Sequence, residues 1–239
     1  MVRRLLLLVI IFHLTTLASC TDLSTPATLV YLVEQESGGA PYRTRLIVTA
    51  GFMRMDGGEN SKDFLLFDRT DNTVYSVSGA DRQVLVIPPR PVEIKPPVKF
   101  THRVEADRDS FPSVAGYKVV HYELLTNGKR CYDLYAAEGL LSDVVSALRQ
   151  FRSTIAGEHA LTVTAIPVEL QSWCDMANNV FYPTRHLEHG YPVRQVDMAG
   201  KKSELVDFNT EYRATASVLR LPQDYKRIMI EDLRKNSQR

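Results

Sequence analysis

The chain lacks an excess of charge of either sign. Its 239 residues hold 29 Lys and Arg against 28 Asp and Glu. A balance this even gives no field for a phosphate backbone, and no basic stripe is visible, so nucleic acid is not expected as a partner. Catalytic signatures are missing too. There is no H-E-x-x-H, G-x-S-x-G, C-x-x-C or Gly-rich phosphate loop, which removes the commonest zinc, serine-hydrolase, dithiol and nucleotide chemistries from the sequence-level expectation. Low-complexity segments and internal repeats are lacking. Tryptophan occurs once, at Trp173, and cysteine three times, at Cys20, Cys131 and Cys174.

What is present begins at the first residues. Arg3 and Arg4 precede an apolar run over 5–14 that only His13 interrupts, followed by small residues. This order is that of a secretory signal peptide. The run is about half of the roughly 20 residues that span a bilayer, so a permanent transmembrane helix is not expected. Leu17-Ala18-Ser19-Cys20 then resembles the lipobox of bacterial lipoproteins. The resemblance implies a signal peptide over 1–19, cleavage after Ser19, diacylation of the Cys20 thiol and acylation of the new amino terminus. An ordinary signal peptide cleaved nearby is the alternative. Several acyl chains would anchor stably, at about 0.8 kcal/mol per buried methylene. Thr21 follows the cysteine where an aspartate would, by the same resemblance, favour the inner membrane, so the outer membrane is expected. Without residues 1–19 the count becomes 27 basic against 28 acidic residues.

Residues 20–27 are expected to be a short tether. The stretch from Cys20 to Pro26 reaches about 23 Å even when extended, which holds the folded body close to the bilayer. In an oxidising compartment Cys131 and Cys174 form an even pair. A bridge between them would close a loop of about 44 residues and stabilise by about 4 kcal/mol in the chain-entropy model; two free buried thiols are the alternative.

From 28 to 135 the pattern is that of strands. Short β-rich runs over 29–33, 42–49, 52–56, 64–67, 73–77 and 84–87 alternate with turn clusters such as Ser37-Gly38-Gly39 and Gly57-Gly58. Even spacing of this kind predicts an antiparallel meander. Five prolines between 88 and 97 mark an extended connection or sheet edge. Val98, Phe100, His102 and Val104 then alternate as one face of a strand. Asn127-Gly128 joins two further runs as a hairpin. The period changes at Leu140, Leu141, Val144, Val145, Leu148, Phe151 and Ile155, opposite Ser142, Asp143, Ser146, Arg149, Gln150 and Arg152. This predicts an amphipathic helix ending near Gly157. A second helix is expected from Pro167, with Leu170, Trp173, Cys174 and Ala177 on its apolar face; the Cys131–Cys174 bridge would staple it to the sheet. Residues 191–198 and 203–214 read as a hairpin that 218–222 closes. Residues 225–233 fit either a strand or a helix.

The cadence from Arg43 to Ile87, with Gly51-Phe52-Met53-Arg54-Met55-Asp56, Asp68-Arg69 and Val84-Leu85-Val86-Ile87-Pro88, resembles uncharacterised periplasmic proteins of the lipoprotein-carrier fold. The stretch from Gly190-Tyr191-Pro192-Val193-Arg194 to Leu221-Pro222-Gln223-Asp224-Tyr225 is similar to how such chains finish. The resemblance implies an α+β fold: a curved antiparallel half-barrel covered by helices, enclosing an apolar cavity that takes acyl chains. One such domain is expected over 28–239, with a helical insertion over about 139–180. It implies no single functional residue.

The expected function is therefore a non-enzymatic envelope lipoprotein, facing the periplasm, that binds an apolar ligand or acyl chain and needs no cofactor. A structural lipoprotein docking an envelope protein is the alternative. A metal-dependent hydrolase ranks lower. Its candidate ligands, His186, Glu188 and His189 with Glu158 and His159, lie beside Pro183, Gly190 and Pro192 and read as a solvated loop. Asp107, Asp109 and Ser110 permit a triad with His102 or His121 on paper only; both histidines read as sheet-surface or core residues. Trp173 reads as core rather than pocket lining.

Overall fold

A computed structural model describes residues 24–107, 109–167 and 170–237. The proposed leader and Cys20 lie outside the described residues. Among those residues, twelve strands form one open sheet. They are β1 (Ser24–Gln35), β2 (Tyr42–Val48), β3 (Phe52–Asp56), β4 (Phe64–Asp68), β5 (Thr73–Ser78), β6 (Gln83–Ile87), β7 (His102–Ala106), β8 (Val119–Thr126), β9 (Lys129–Ala137), β10 (Tyr191–Asp197), β11 (Lys202–Thr215) and β12 (Lys226–Met229). Three helices accompany them: α1 (Ser142–Thr164), α2 (Trp173–Met176) and α3 (Ile230–Ser237). The sheet order is β12-β6-β5-β4-β3-β2-β1-β11-β10-β9-β8-β7. All neighbours are antiparallel except β12, which runs parallel to β6. The fold is thus α+β, as expected.

The first six strands form the expected meander. The Asn127-Gly128 hairpin forms as well, with φ of 50° and 77° at the two residues, the left-handed pair that a two-residue turn between twisted strands requires. Other boundaries differ. β1 starts at Ser24, which already pairs with Thr215, so half of the expected tether belongs to the sheet. β7 starts at His102; Phe100 leaves the expected strand face and is buried beside Phe181, ring centroids 5.6 Å apart. Residues 216–219 form a 3-10 turn instead of a closing strand. The ambiguous 225–233 segment is both things in succession, β12 and then α3.

The helices differ for physical reasons. α1 runs through Gly157 to Thr164. A Cβ at Gly157 would lie 2.1 Å from the Arg90 carbonyl oxygen, so this glycine serves close approach of the proline-rich segment, not termination. The second helix does not start at Pro167. It starts at Trp173, where Ser172 Oγ accepts from the Asp175 amide at 3.3 Å, an N-cap that Pro167 cannot supply. Leu170, expected on its apolar face, is 74% exposed. The chain then widens to i→i+5 bonding, with Tyr182 N–H donating to Ala177 O at 2.7 Å.

The main core forms where α1 crosses the sheet. Val144, Ala147 and Phe151 pack with Val30, Leu46 and Val48, with Met53, Phe67 and Val74, and with Val119, Ala137 and Tyr191 from the other half. Phe67 and Phe151 meet edge to face at 5.8 Å. Strand alternation sends Arg45, Ile47, Arg54 and Asp56 to the opposite face. There Asp56 accepts from Arg45 Nε and Nη2, both at 2.9 Å, and from Arg54 Nε at 2.6 Å. Arg54 Nη1 also donates to Val218 O at 2.8 Å, which ties down the 216–219 turn. Burial by itself pushes the Asp56 carboxyl up. The hydrogen bonds from Arg45, Arg54 and the Gly58 amide, with the Arg45 charge, outweigh it and hold Asp56 below the usual carboxylate range.

Asp56→Asn leaves two buried guanidiniums without a counter-charge and should cost about 3–5 kcal/mol, measured by urea unfolding. Because the folded carboxyl titrates below its unfolded value, the native protein has this stabilisation in full above the unfolded carboxylate pKa of about 3.9 and loses it as pH falls through the lowered value; the variant should show a flatter acid limb. Gly157→Ala, which improves helix propensity by about 1 kcal/mol in isolation, should instead lower the melting temperature, since overpacking against backbone costs about 1–3 kcal/mol. A higher melting temperature would show that residues 88–97 do not rest on α1.

Candidate functional site

Two cavities adjoin beside α1. The inner one, about 110 Å³, lies between α1 and the sheet, with Leu32, Leu46, Met55, Leu148, Phe151 and Leu187 among its walls. The outer one, about 470 Å³, opens past the C-terminal part of α1, with Val163, Ile166, Leu170, Met176 and Met198 on its apolar side and Asp175, Asn178, Asn179, Asp197 and Lys201 on a polar side of at least equal extent. Ile166, Leu170 and Met198 are exposed, so the mouth has an apolar rim. Glu34, Arg152 and Gln195 line both spaces and form a polar neck between them.

Strand register builds that neck. Glu34 in β1 pairs with Ser203 in β11, and Ser203 pairs with Gln195 in β10. The three form one rung across adjacent strands. The neighbouring rung two residues along holds Leu32 opposite Leu205. The face is therefore apolar inward and polar at its end. Glu34 is already engaged: Thr44 Oγ1 donates to its Oε2 at 2.5 Å, and Lys201 Nζ lies 3.5 Å from its Oε1. Lys201 also meets Glu36 at 3.0 Å; burial works against its charge, but Glu36, Glu34 and Tyr42 hold the ammonium pKa above its ordinary value.

His186 stands at the inner cavity and is 3% exposed. Its ring tilts over Tyr132 at 5.0 Å. Burial, then the charges of Arg152 and Arg185, push its pKa far below the ordinary histidine value, so the ring is neutral. Its Nδ1 has no hydrogen-bond partner, and neither does Gln195 Oε1. The expectation of a solvated loop at 186–189 is corrected: Arg185–Leu187 is a buried 3-10 turn. His189 instead stacks on Tyr122 at 4.3 Å, so the two imidazoles face different aromatic partners. Glu158 is taken by Arg90 and Arg234.

The paper triad is not assembled. His121 Nδ1 lies 3.5 Å from Asp107 Oδ2, and its Nε2 3.2 Å from Asp133 Oδ1, so both nitrogens face carboxylates rather than Ser110. His102 Nδ1 lies 2.8 Å from Arg185 Nη1 and 3.1 Å from Thr126 Oγ1. Among the described residues, the group of three ligand types held close together is His121, Glu123 and Asp133. Arg130 Nη1 occupies it, 2.6 Å from Glu123 and 3.7 Å from Asp133. Trp173 is partly buried against Met176 and Val180, in a cluster with Phe100.

Cys131 and Cys174 form a disulfide that joins β9 to α2, with Cα atoms 5.1 Å apart. Cys174 lines the outer cavity, so the bridge holds one wall of the site. Sequence reading missed Arg152 and Gln195. Arg152 falls four residues after Leu148, one turn along the buried stripe, but charge placed it on the solvent side. Gln195 had no signal at all, since its role depends on a long-range register.

No family model matches the chain, and no curated protein matches it. Among solved structures, an uncharacterised conserved protein from Thermus thermophilus is 13% identical, with 87% of this chain and 92% of that one covered and a TM-score of 0.42. A crystal structure of MucB is 11% identical over 84% of this chain and 59% of its own, with a TM-score of 0.40. PNGF-II is 8% identical over 88% of this chain and 32% of its own, at 0.42. The chain thus spans about a third of PNGF-II and less than two thirds of MucB. Likenesses this loose assign it to no family.

Replacing Cys131 and Cys174 together by alanine should destabilise the fold by about 2–4 kcal/mol. The native protein should expose neither thiol to alkylation in denaturant until reduced; two reactive thiols before reduction would contradict the bridge.

Proposed function

We propose that this chain is an envelope lipoprotein, anchored through Cys20, that binds an amphiphile or acyl chain in the cavities beside α1 and catalyses no reaction. The observation that carries this reading is the pair of adjoining cavities with an apolar rim and a polar neck. The outer volume falls within the range of about 300–1,000 Å³ usual for small-molecule sites. Exposed apolar side chains gathered at one opening favour contact with hydrocarbon. The paired Cys131 and Cys174 suit an oxidising compartment, which agrees with the leader pattern and with placement in the outer membrane facing the periplasm. We also read the sheet as a curved half-barrel of the lipoprotein-carrier kind, because one helix packs against residues of β1–β5 and of β8–β10.

One observation favours protein docking as a second reading. Every residue of the edge strand β7 is exposed, and a free edge can take an added strand.

The test uses purified protein carrying Cys20→Ser and a fluorescent fatty acid. Saturable binding with a change in Trp173 emission is expected. Ala199→Phe, which places a large ring at the outer mouth without touching the core or adding a second tryptophan, should weaken binding about tenfold, or about 1.4 kcal/mol. No saturable binding, or a variant indistinguishable from the parent, would reject the site.

A further inference from the structure

We propose that the neck between the two cavities is an anion site that takes the acidic headgroup of an amphiphile, with Arg152 as its ion-pair donor and His186 and Gln195 as its hydrogen-bond partners. This rests on the preceding reading for the hydrocarbon part and adds the chemical class of the head.

Three observations meet at one place. Arg152 lines both cavities, yet among the described residues it makes no hydrogen bond or ion pair. Other arginines near the interior meet a carboxylate, Arg45 and Arg54 at Asp56 and Arg90 at Glu158 and Glu231, or neutral acceptors, as Arg185 does at Asn178 and the Leu125 carbonyl with its Nη2 left over. A guanidinium offers five donors in a plane, a geometry matched by a carboxylate or a phosphate. The second observation is His186 Nδ1, buried at the cavity wall with nothing bonded to it. A buried polar atom without a partner is rare and marks a place where a ligand or an ordered water completes the bonding. A neutral imidazole can carry its proton on Nδ1 and donate it to an oxyanion. The third is the Gln195 amide, whose Oε1 is also unpartnered; its two ends are exchangeable by rotation, so it too can present a donor. The Arg152 charge reaches these groups: it contributes to the depressed pKa of His186, after burial, and likewise to that of His159.

Three carboxylates also line the outer cavity, each with a hydrogen-bond donor of its own. Glu34 faces Thr44 and Lys201. Asp197 Oδ1 accepts from the Lys201 amide at 3.0 Å, and Asp175 Oδ1 accepts from Asn179 Nδ2 at 2.5 Å. The inner cavity has an apolar wall of Leu32, Leu46, Met55, Leu148, Phe151 and Leu187, and the outer one offers Val163, Met176 and the rim residues Ile166, Leu170 and Met198, so hydrocarbon finds apolar surface on either side of the neck.

The test compares decanoate, decyl phosphate and decanol as competitors of the fluorescent fatty acid on the Cys20→Ser protein. At least one acid should bind about tenfold tighter than decanol, and their ranking says which acid the site prefers. Arg152→Gln should remove that advantage, leave decanol affinity unchanged and leave the melting temperature unchanged, because no partner among the described residues is lost. Arg152→Lys should restore part of it. If decanol binds as tightly as both acids, or if Arg152→Gln keeps the advantage, the headgroup site is overturned while apolar binding stands. If none of the three competes, both readings fall.

Discussion

The pairing of β1 with β11 holds the molecule together. Apart from that pairing and the parallel contact of β12 with β6, strand neighbours are also neighbours in sequence. β1 is bonded along its length on both sides, to β2 from Thr28 to Glu34 and to β11 from Ser24 to Gln35. This one interface turns two separate meanders into a single face that α1 can cover. It also creates the candidate site, because Glu34, Ser203 and Gln195 form a rung only when β1, β11 and β10 are in this register. A slip of one residue would turn Leu32 and Glu34 to the opposite face and would dissolve the core and the neck together.

Local signals carried much of this into the sequence. Turn residues at regular spacing gave the meander, Asn127-Gly128 gave its hairpin, and the stripe from Leu140 to Ile155 gave α1. Each of these depends on neighbours within a few residues. The failures share the opposite cause. Gly157 looked like a stop, but it is there because Arg90, sixty-seven positions earlier, passes against it. His186 looked solvated between prolines, but it is buried against the Tyr132 ring, in a turn that Arg185 ties to Asn178 and the Leu125 carbonyl. Arg152 looked like a surface charge because its position on the stripe edge matters only when a cavity lies there. The disulfide was legible only as an even count.

Buried arginine is used in two ways. Arg45 and Arg54 share Asp56, a compensated charge whose removal exposes its partners. Arg185 is buried with neutral acceptors only, Asn178 Oδ1 at 3.1 Å and the Leu125 carbonyl at 3.2 Å, alongside His102. Burial depresses its pKa, and the more remote Tyr132 and Glu188 act against that. Such a charge fixes geometry: it ties the 185–187 turn to the end of β8 and so places the His186 ring. Arg152, half-buried, belongs to neither pattern. Among the described residues it has no hydrogen-bond or ion-pair partner, and the proposed anion would supply one.

The chain end nearest Cys20 and the neck lie at opposite ends of β1. Ser24 begins β1 and Glu34, at the neck, nears its end, ten residue steps or about 33 Å away. Cys20 precedes Ser24 by four residues, a reach of at most about 14 Å. With Cys20 acylated, as proposed, the tether limits how far the start of β1 lies from the bilayer, while the neck can stand farther off by up to the length of the strand. This changes the meaning of the short tether: it does not by itself bring the cavity to hydrocarbon. A ligand can then arrive through the aqueous compartment, as a soluble amphiphile or in the grip of another protein. An acidic headgroup met by Arg152 fits that route better than a purely apolar molecule, since its charge keeps it soluble in transit and is needed again once it reaches the neck.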